Sequence, residues 1–410
     1  MVGRKAVTAA EEWQAHWPLV LACALGASLS VNAIAHLGVF IQPLEQAFGW
    51  DRAQISAGLT LYAISGLICA PLIGSLVDRW GPRPIALTAV IADGLAFALF
   101  STATGSFFQW MSLWLVFALA SQGTRMLVWY SAVSARFEAS RGLAIAGTSA
   151  GAAIGSMVSP IVADYLIAEF GWRLAYVIMG LGWGGLATVF CYVLLDRRTA
   201  PQREKAAKPG RAADLPGLPA KQAIFSSRFL RIALTVLLFE VVFVALNIHM
   251  VPLLVSKGTT SQEAAWIVGM SHLAGTVGLF LSGYLVGRVP GHYLGAIFPL
   301  AAIVACVMLL LPAASVYERV VPVLILFASI SALNHLFAYL TSRYFGLRAY
   351  GLVYGLIGSF MATAIGVGPV LAGFVFDRTQ SYDLVLMAGI PSAIVSAVLL
   401  FSLGRYPEWE

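Results

Sequence analysis

Few side chains in this chain can carry charge, and several of them stand deep inside long apolar runs. Arg125 lies about 11 residues before the next arginine, Arg136. At 1.5 Å per residue that is too far for an easy reach to the headgroups. Its planar guanidinium suits a carboxylate held in a cavity. Gln122, Arg125 and Trp129 follow 3–4 spacing, so one helical face is expected to present all three. Glu240 is equally deep, and a carboxyl there could load and release protons; Asp93 and His272 are further candidates for proton coupling. Asn32 with His36, Asn247, and Asn334 with His335 complete the polar set expected to line a substrate site. Ionisable groups at bilayer depth are costly and by default face a cavity and serve function.

Other chemistries find no support. No Cys, His and carboxylate spacing within a helix would present metal ligands together. No Gly-x-x-x-x-Gly-Lys-Ser/Thr loop offers ATP a seat, and no nucleophile–base arrangement suggests an enzyme. Neither a cofactor nor a metal is therefore expected.

These residues must be positioned by membrane helices. The chain is 60% hydrophobic and 11% charged, with a mean hydropathy of +0.84; soluble domains carry about 25% charged residues. Apolar runs of roughly 20 residues, enough to cross ~30 Å of hydrocarbon, recur along it. Twelve spans are expected: 18–43, 53–77, 84–104, 107–131, 142–166, 173–195, 230–255, 263–287, 292–312, 319–342, 350–375 and 382–404. The fold class is thus all-α integral membrane. Residues 196–229, rich in Pro, Lys and Arg, form a basic cytoplasmic linker between bundles 1–195 and 230–410. The net charge of +6 does not point to nucleic acid, because the basic residues concentrate on one side of the spans. That bias places both termini in the cytoplasm and the protein in the cell (inner) membrane. Trp13, Trp17, Trp50, Trp110 and Trp172 fall near span ends, where interfacial anchoring is expected.

A repeat runs through the whole chain. Gly74-Ser75-Leu76-Val77-Asp78-Arg79-Trp80-Gly81 is followed 209 positions later by Gly283-Tyr284-Leu285-Val286-Gly287-Arg288. The same offset links Pro43 to Pro252, Gly66 to Gly275, Tyr130 to Tyr339, Gly142 to Gly351 and Pro160 to Pro369. It also makes Asn334 the counterpart of Arg125. Two parallel copies of a membrane unit are an architecture suited to moving a solute across a bilayer.

With twelve spans, a central basic loop and Gly-x-Leu-x-Asp-Arg-x-Gly between spans two and three, the chain resembles the major facilitator superfamily. The resemblance implies that Gly74, Asp78, Arg79, Gly81, Arg83 and Arg136 form a cytoplasmic gate, with Asp78 near the start of span eleven. A finer resemblance rests on Gly38-Val39-Phe40-Ile41-Gln42-Pro43-Leu44 and Phe48-Gly49-Trp50-Asp51-Arg52-Ala53-Gln54-Ile55-Ser56. These segments are similar to the monocarboxylate-porter and oxalate/formate-antiporter branch. That branch tends to bind substrate through an arginine in span eight, where this chain has His272. The function implied is secondary transport of a small organic anion with protons, by a monomer embedded in lipid. The alternatives are proton-driven export of an amphipathic or cationic compound, or a membrane sensor that transports nothing.

Overall fold

The computed structural model describes residues 8–137, 139–195, 217–286, 288–312, 315–346 and 348–407. Regular structure among the described residues is helical apart from one antiparallel bridge, Gly217 to Gly346. In chain order the helices are α1 (Ala9–Leu29), α2 (Asn32–Ala35), α3 (Leu37–Phe48), α4 (Arg52–Ser56), α5 (Gly58–Trp80), α6 (Pro82–Leu99), α7 (Phe107–Ala120), α8 (Met126–Ser134) and α9 (Arg141–Val177). There follow α10 (Gly184–Leu194), α11 (Ala220–Ile224), α12 (Ser227–Ile248), α13 (Met250–Ser256), α14 (Ser261–Leu285), α15 (Gly291–Leu310), α16 (Val316–Phe345), α17 (Tyr350–Thr379) and α18 (Asp383–Phe401).

Ten helical stretches among the described residues are long and apolar enough to cross a membrane. One of them, Arg141–Leu194, holds 54 residues and contains the expected span 142–166 and all but the last residue of 173–195. It breaks at Gly171, whose φ of 77° and ψ of 161° leave the helix, and it relaxes into a π-helical turn at Ile178–Trp183. Large apolar side chains stay exposed on the helices, among them Ile68, Leu72, Phe280, Val277 and Val398. Lipid, rather than water, is the solvent that such a surface fits.

Besides one-residue turns at Ala57 in the second span and His249 in the seventh, two expected spans are broken over several residues. The first, expected over 18–43, is helical from Ala9 but stops at Leu29 and resumes fully at Leu37. The fourth, expected over 107–131, stops at Ala120, passes through a 3₁₀ turn at Ser121–Thr124 and restarts at Met126. Arg125 between them is extended, with φ −68° and ψ 155°. Local hydroxyl bonds explain the second break: Ser121 Oγ donates to the Ala118 carbonyl and Thr124 Oγ1 to the Ser121 carbonyl. Such bonds compete with the helical ladder. The break is tolerated at membrane depth because it is buried and its groups are used; the Trp129 indole N–H donates to the Thr124 carbonyl at 2.6 Å.

The described parts of Met1–Phe40 and Ser65–Arg203 form one compact unit, and those of Ile41–Ile64 and Glu204–Glu410 form a second. In the first unit α1 packs along α9, and in the second α12 packs along α17; these are repeat-related pairs. The first crossing is so close that a Cβ at Gly151 would stand 2.0 Å from the Ala24 carbonyl oxygen. Only a hydrogen fits there. Two tryptophans expected at the interface are buried instead. Trp110 packs on Phe100 and Trp114, and Trp50 on Phe48, because these span ends carry enough aromatic area to form small cores of their own. Of the linker, 196–216 lie outside the described residues. Beyond them Leu218 N–H bonds the Phe345 carbonyl at 2.9 Å and α11 forms.

Candidate functional site

In the first unit the broken fourth span is the feature that positions a cation. Because Arg125 caps the start of α8 in extended conformation, its side chain leaves the chain at an angle a continuous helix would not allow. The guanidinium lies over the backbone of α5 at Gly66: a Cβ there would be 2.5 Å from Nη2 and 3.0 Å from Cζ. The expected common face of Gln122, Arg125 and Trp129 does not exist, since the 3₁₀ turn and the extended residue shift the helical phase between them. Gln122 turns into the unit, donating from Nε2 to Ser65 Oγ at 2.9 Å and to the Ala118 carbonyl. Trp129 is fully buried against Gly26.

The second unit repeats this crossing without the charge. A Cβ at Gly275, the counterpart of Gly66, would stand 2.7 Å from Ser331 Oγ; Ser331 is the counterpart of Gln122. Since Gly66 meets only the flexible end of Arg125, Gly66→Ala is expected to fold normally and to push the guanidinium aside. A KM for substrate raised about tenfold, with the thermal midpoint unchanged, is the expected outcome in reconstituted vesicles.

Glu240 is buried in α12, with Asn334 beside its carboxyl. Glu240 Oε1 and Asn334 Oδ1 have no hydrogen-bond partner among the described residues. Asn247 lies two turns further along α12 and is half-buried. His335, next to Asn334, places Nδ1 3.4 Å from Ser282 Oγ. His272 sits edge-on to Phe327 at 5.0 Å, and its Nε2 has no partner among the described residues. In the first unit His36 is buried edge-on to Phe97, with Nδ1 3.2 Å from Ser159 Oγ. His36 is a turn residue between α2 and α3; the Asn32 side chain lies outside the described residues. Asp93 is fully buried in α6.

Within the proposed gate motif, the Asp78 side chain lies outside the described residues. Gly74 is inside α5, Arg79 lies 5.9 Å from the Trp80 ring, and Gly81 caps α6 at φ 80°. Arg83 Nη2 donates to the Tyr192 carbonyl at 3.1 Å. Arg136 follows α8 in a turn.

A second constellation, in the second unit, escaped the sequence reading. Arg52, 8% exposed, lays its guanidinium 3.5 Å from the Phe376 ring centre. It also donates to the Tyr382 hydroxyl at 2.8 Å and pairs with Glu45 at 3.2 Å. Asp377 accepts the backbone N–H groups of Arg52 and Ala53 at 3.0 and 3.1 Å, a carboxylate set on the positive end of the helical segment that begins there. His249 joins this network through Nδ1 to the Tyr382 hydroxyl and through Nε2 to the Pro369 carbonyl, both at 2.9 Å. The available signal was the Gly49-Trp50-Asp51-Arg52 turn, whose Asp51 N–H is held by Gln54. In the sequence that turn marks only the resemblance.

A broken-helix bundle in two repeat-related units is the architecture of a carrier, and comparison with known proteins agrees. Residues 21–369 match the model of the Major Facilitator Superfamily. The chain belongs to that family, and it is a multi-pass membrane transporter rather than an enzyme. Monocarboxylate transporter 13 of Rattus norvegicus is 25% identical over 279 residues, which cover 67% of this chain and 62% of that protein. A probable sulfoacetate transporter, SauU, of Cupriavidus necator is 25% identical over 383 residues, covering 88% and 86% respectively. The fold is similar to that of a bacterial homolog to the human lysosomal transporter Spinster, solved inward-facing and unoccupied. The TM-score is 0.71 at 18% identity, over 94% of each chain.

Proposed function

We propose that this protein carries a small organic anion of the carboxylate or sulfonate type, together with protons, by alternating access. The observation that carries the reading is Arg125: a guanidinium at a helix break, laid over a glycine that leaves it room. Two of the relatives are named for monocarboxylate and sulfoacetate, both anions that a planar fork can grip through two oxygens. Gln122 and Trp129 hold the break in shape, and Asn247, Asn334 and His335 are polar groups available to a substrate. Glu240, buried with the neutral Asn334 beside it, is the proton carrier in this reading, with His272 and Asp93 as alternates. The protein works as a monomer in the cell (inner) membrane, with both termini in the cytoplasm.

Reconstituted vesicles loaded at one pH and diluted into another provide the test. Labelled acetate, lactate or sulfoacetate should accumulate in wild-type vesicles and not in empty ones; failure of every anion, with uptake of cationic compounds instead, would refute the proposal. Glu240→Gln should abolish gradient-driven accumulation while exchange of labelled for unlabelled anion persists at any pH. If accumulation survives, another group carries the proton.

A further inference from the structure

At the end of the second unit where α15 begins and α16 and α18 finish, the structure holds a cavity of about 860 Å³. Two arginines, Arg343 and Arg405, stand in its wall beside His292, Tyr293 and Tyr406, and no carboxylate is among the described residues that line it. The cavity also receives the positive end of α15, a helix of 20 residues. There the Gly291 N–H donates to the Tyr406 hydroxyl at 2.6 Å. Arg343 lies 4.7 Å from the Tyr406 ring centre, which holds the guanidinium beside the opening. Burial pushes the Tyr406 phenol up to about 12, so the ring presents a neutral hydroxyl and adds no negative charge. His292 supplies an independent sign of a missing partner: it is 8% exposed, and its Nδ1 makes no hydrogen bond among the described residues.

We propose that this cavity binds a phosphate-bearing anion, with Arg343 and Arg405 pairing its oxygens and His292 contributing a hydrogen bond. Two guanidinium forks and a helix N-terminus match the several acceptor oxygens of a phosphoryl group better than a single carboxylate does. The surface below the cavity suggests where such a group would come from. Tyr293, Ile297 and Leu300 on α15, with Phe401, Val398 and Ile394 on α18, are exposed apolar side chains on packed neighbouring helices. Acyl chains of an anionic phospholipid would lie along them with the headgroup in the basic pocket. Free phosphate offers the same chemistry without the chains. The site is separate from Arg125, so it stands or falls independently of the transported substrate.

The full-length protein in detergent, titrated with phosphatidylglycerol, phosphatidylcholine or inorganic phosphate, separates these cases by native mass spectrometry and thermal shift. Retention of phosphatidylglycerol over phosphatidylcholine, weakened at least about tenfold in the double variant Arg343→Gln with Arg405→Gln, supports the site with lipid as its source. Binding of inorganic phosphate with the same sensitivity supports it with a soluble source. Equal binding of both lipids and none of phosphate overturns it, as does binding that the double variant leaves unchanged. Should the double variant misfold, His292→Phe keeps the packing on Tyr293 and Phe401 and is expected to weaken binding about threefold; unaltered affinity there also refutes the proposal.

Discussion

Arg125→Gln is expected to lower anion uptake in reconstituted vesicles by about 100-fold in kcat/KM, with a thermal midpoint within a few degrees of wild type. Glutamine keeps most of the side chain's length and some hydrogen-bonding capacity but loses the charge and the fork. Each charge-assisted hydrogen bond to a substrate oxygen contributes about 1.5–3 kcal/mol, and tenfold corresponds to about 1.4 kcal/mol. Losing a two-pronged grip therefore costs about two orders of magnitude. Arg125→Lys keeps the charge as a point and should recover part of the loss, in the KM more than in the maximal rate. Stability is expected to survive because Arg125 is only half-buried and its guanidinium end lies beside Gly66. Uptake at wild-type rates in Arg125→Gln would remove this arginine from the site. Read beside Gly66→Ala, the comparison is sharper still: one variant deletes the cation, the other only displaces it.

How far the sequence led can be judged at these same residues. The 209-residue offset pairs Gly66 with Gly275, and both mark close crossings onto the fourth and tenth spans. That was legible because backbone approach demands glycine whatever the neighbouring residues are. The placement of Arg125 and Glu240 inside long apolar stretches was legible too, since hydropathy marks those stretches. The helix breaks were not. Ser121-Gln122-Gly123-Thr124 lies in a run whose apolar flanks continue on both sides, so hydropathy passes through it unchanged. The break depends on hydroxyl bonds and on Trp129 reaching back to the Thr124 carbonyl. Once the phase slips there, a face drawn by 3–4 spacing loses its meaning, and Gln122 and Trp129 turn into the unit. Arg52 was hidden for a different reason. Its backbone partner Asp377 is 325 residues away, and no local pattern announces a pairing made only by the fold.

That pairing carries the second large effect. By the repeat, Ile41–Ile64 belongs with the first six spans, yet it packs within the second unit, held by Asp377 at the start of α4 and by Arg52 among Phe376, Tyr382 and Glu45. Under the alternating access proposed above, this segment has to be released on one half of the cycle, and the network is expected to act as a latch whose strength sets how often that side opens. Asp377→Ala removes the acceptor of two backbone N–H groups at the start of α4, where only the local Asp51–Gln54 capping box remains. At roughly 3 kcal/mol for the two charge-assisted bonds together, the closed population should fall on the order of 100-fold relative to the open one. A cysteine placed at the buried Ser56, which faces His249 at 3.4 Å, would report it. With Cys23, Cys69, Cys191 and Cys306 replaced, Ser56→Cys should react slowly with a membrane-impermeant maleimide in the parent and much faster with Asp377→Ala. The reagent is added to each face of the membrane in turn. Asp377→Asn, which still accepts one bond, should fall between. A lowered thermal midpoint with no change in labelling rate would show that the network merely stabilises the fold. Faster labelling at an unchanged midpoint would mean that this carboxylate holds a door, because a group that only props the structure cannot alter access without altering stability.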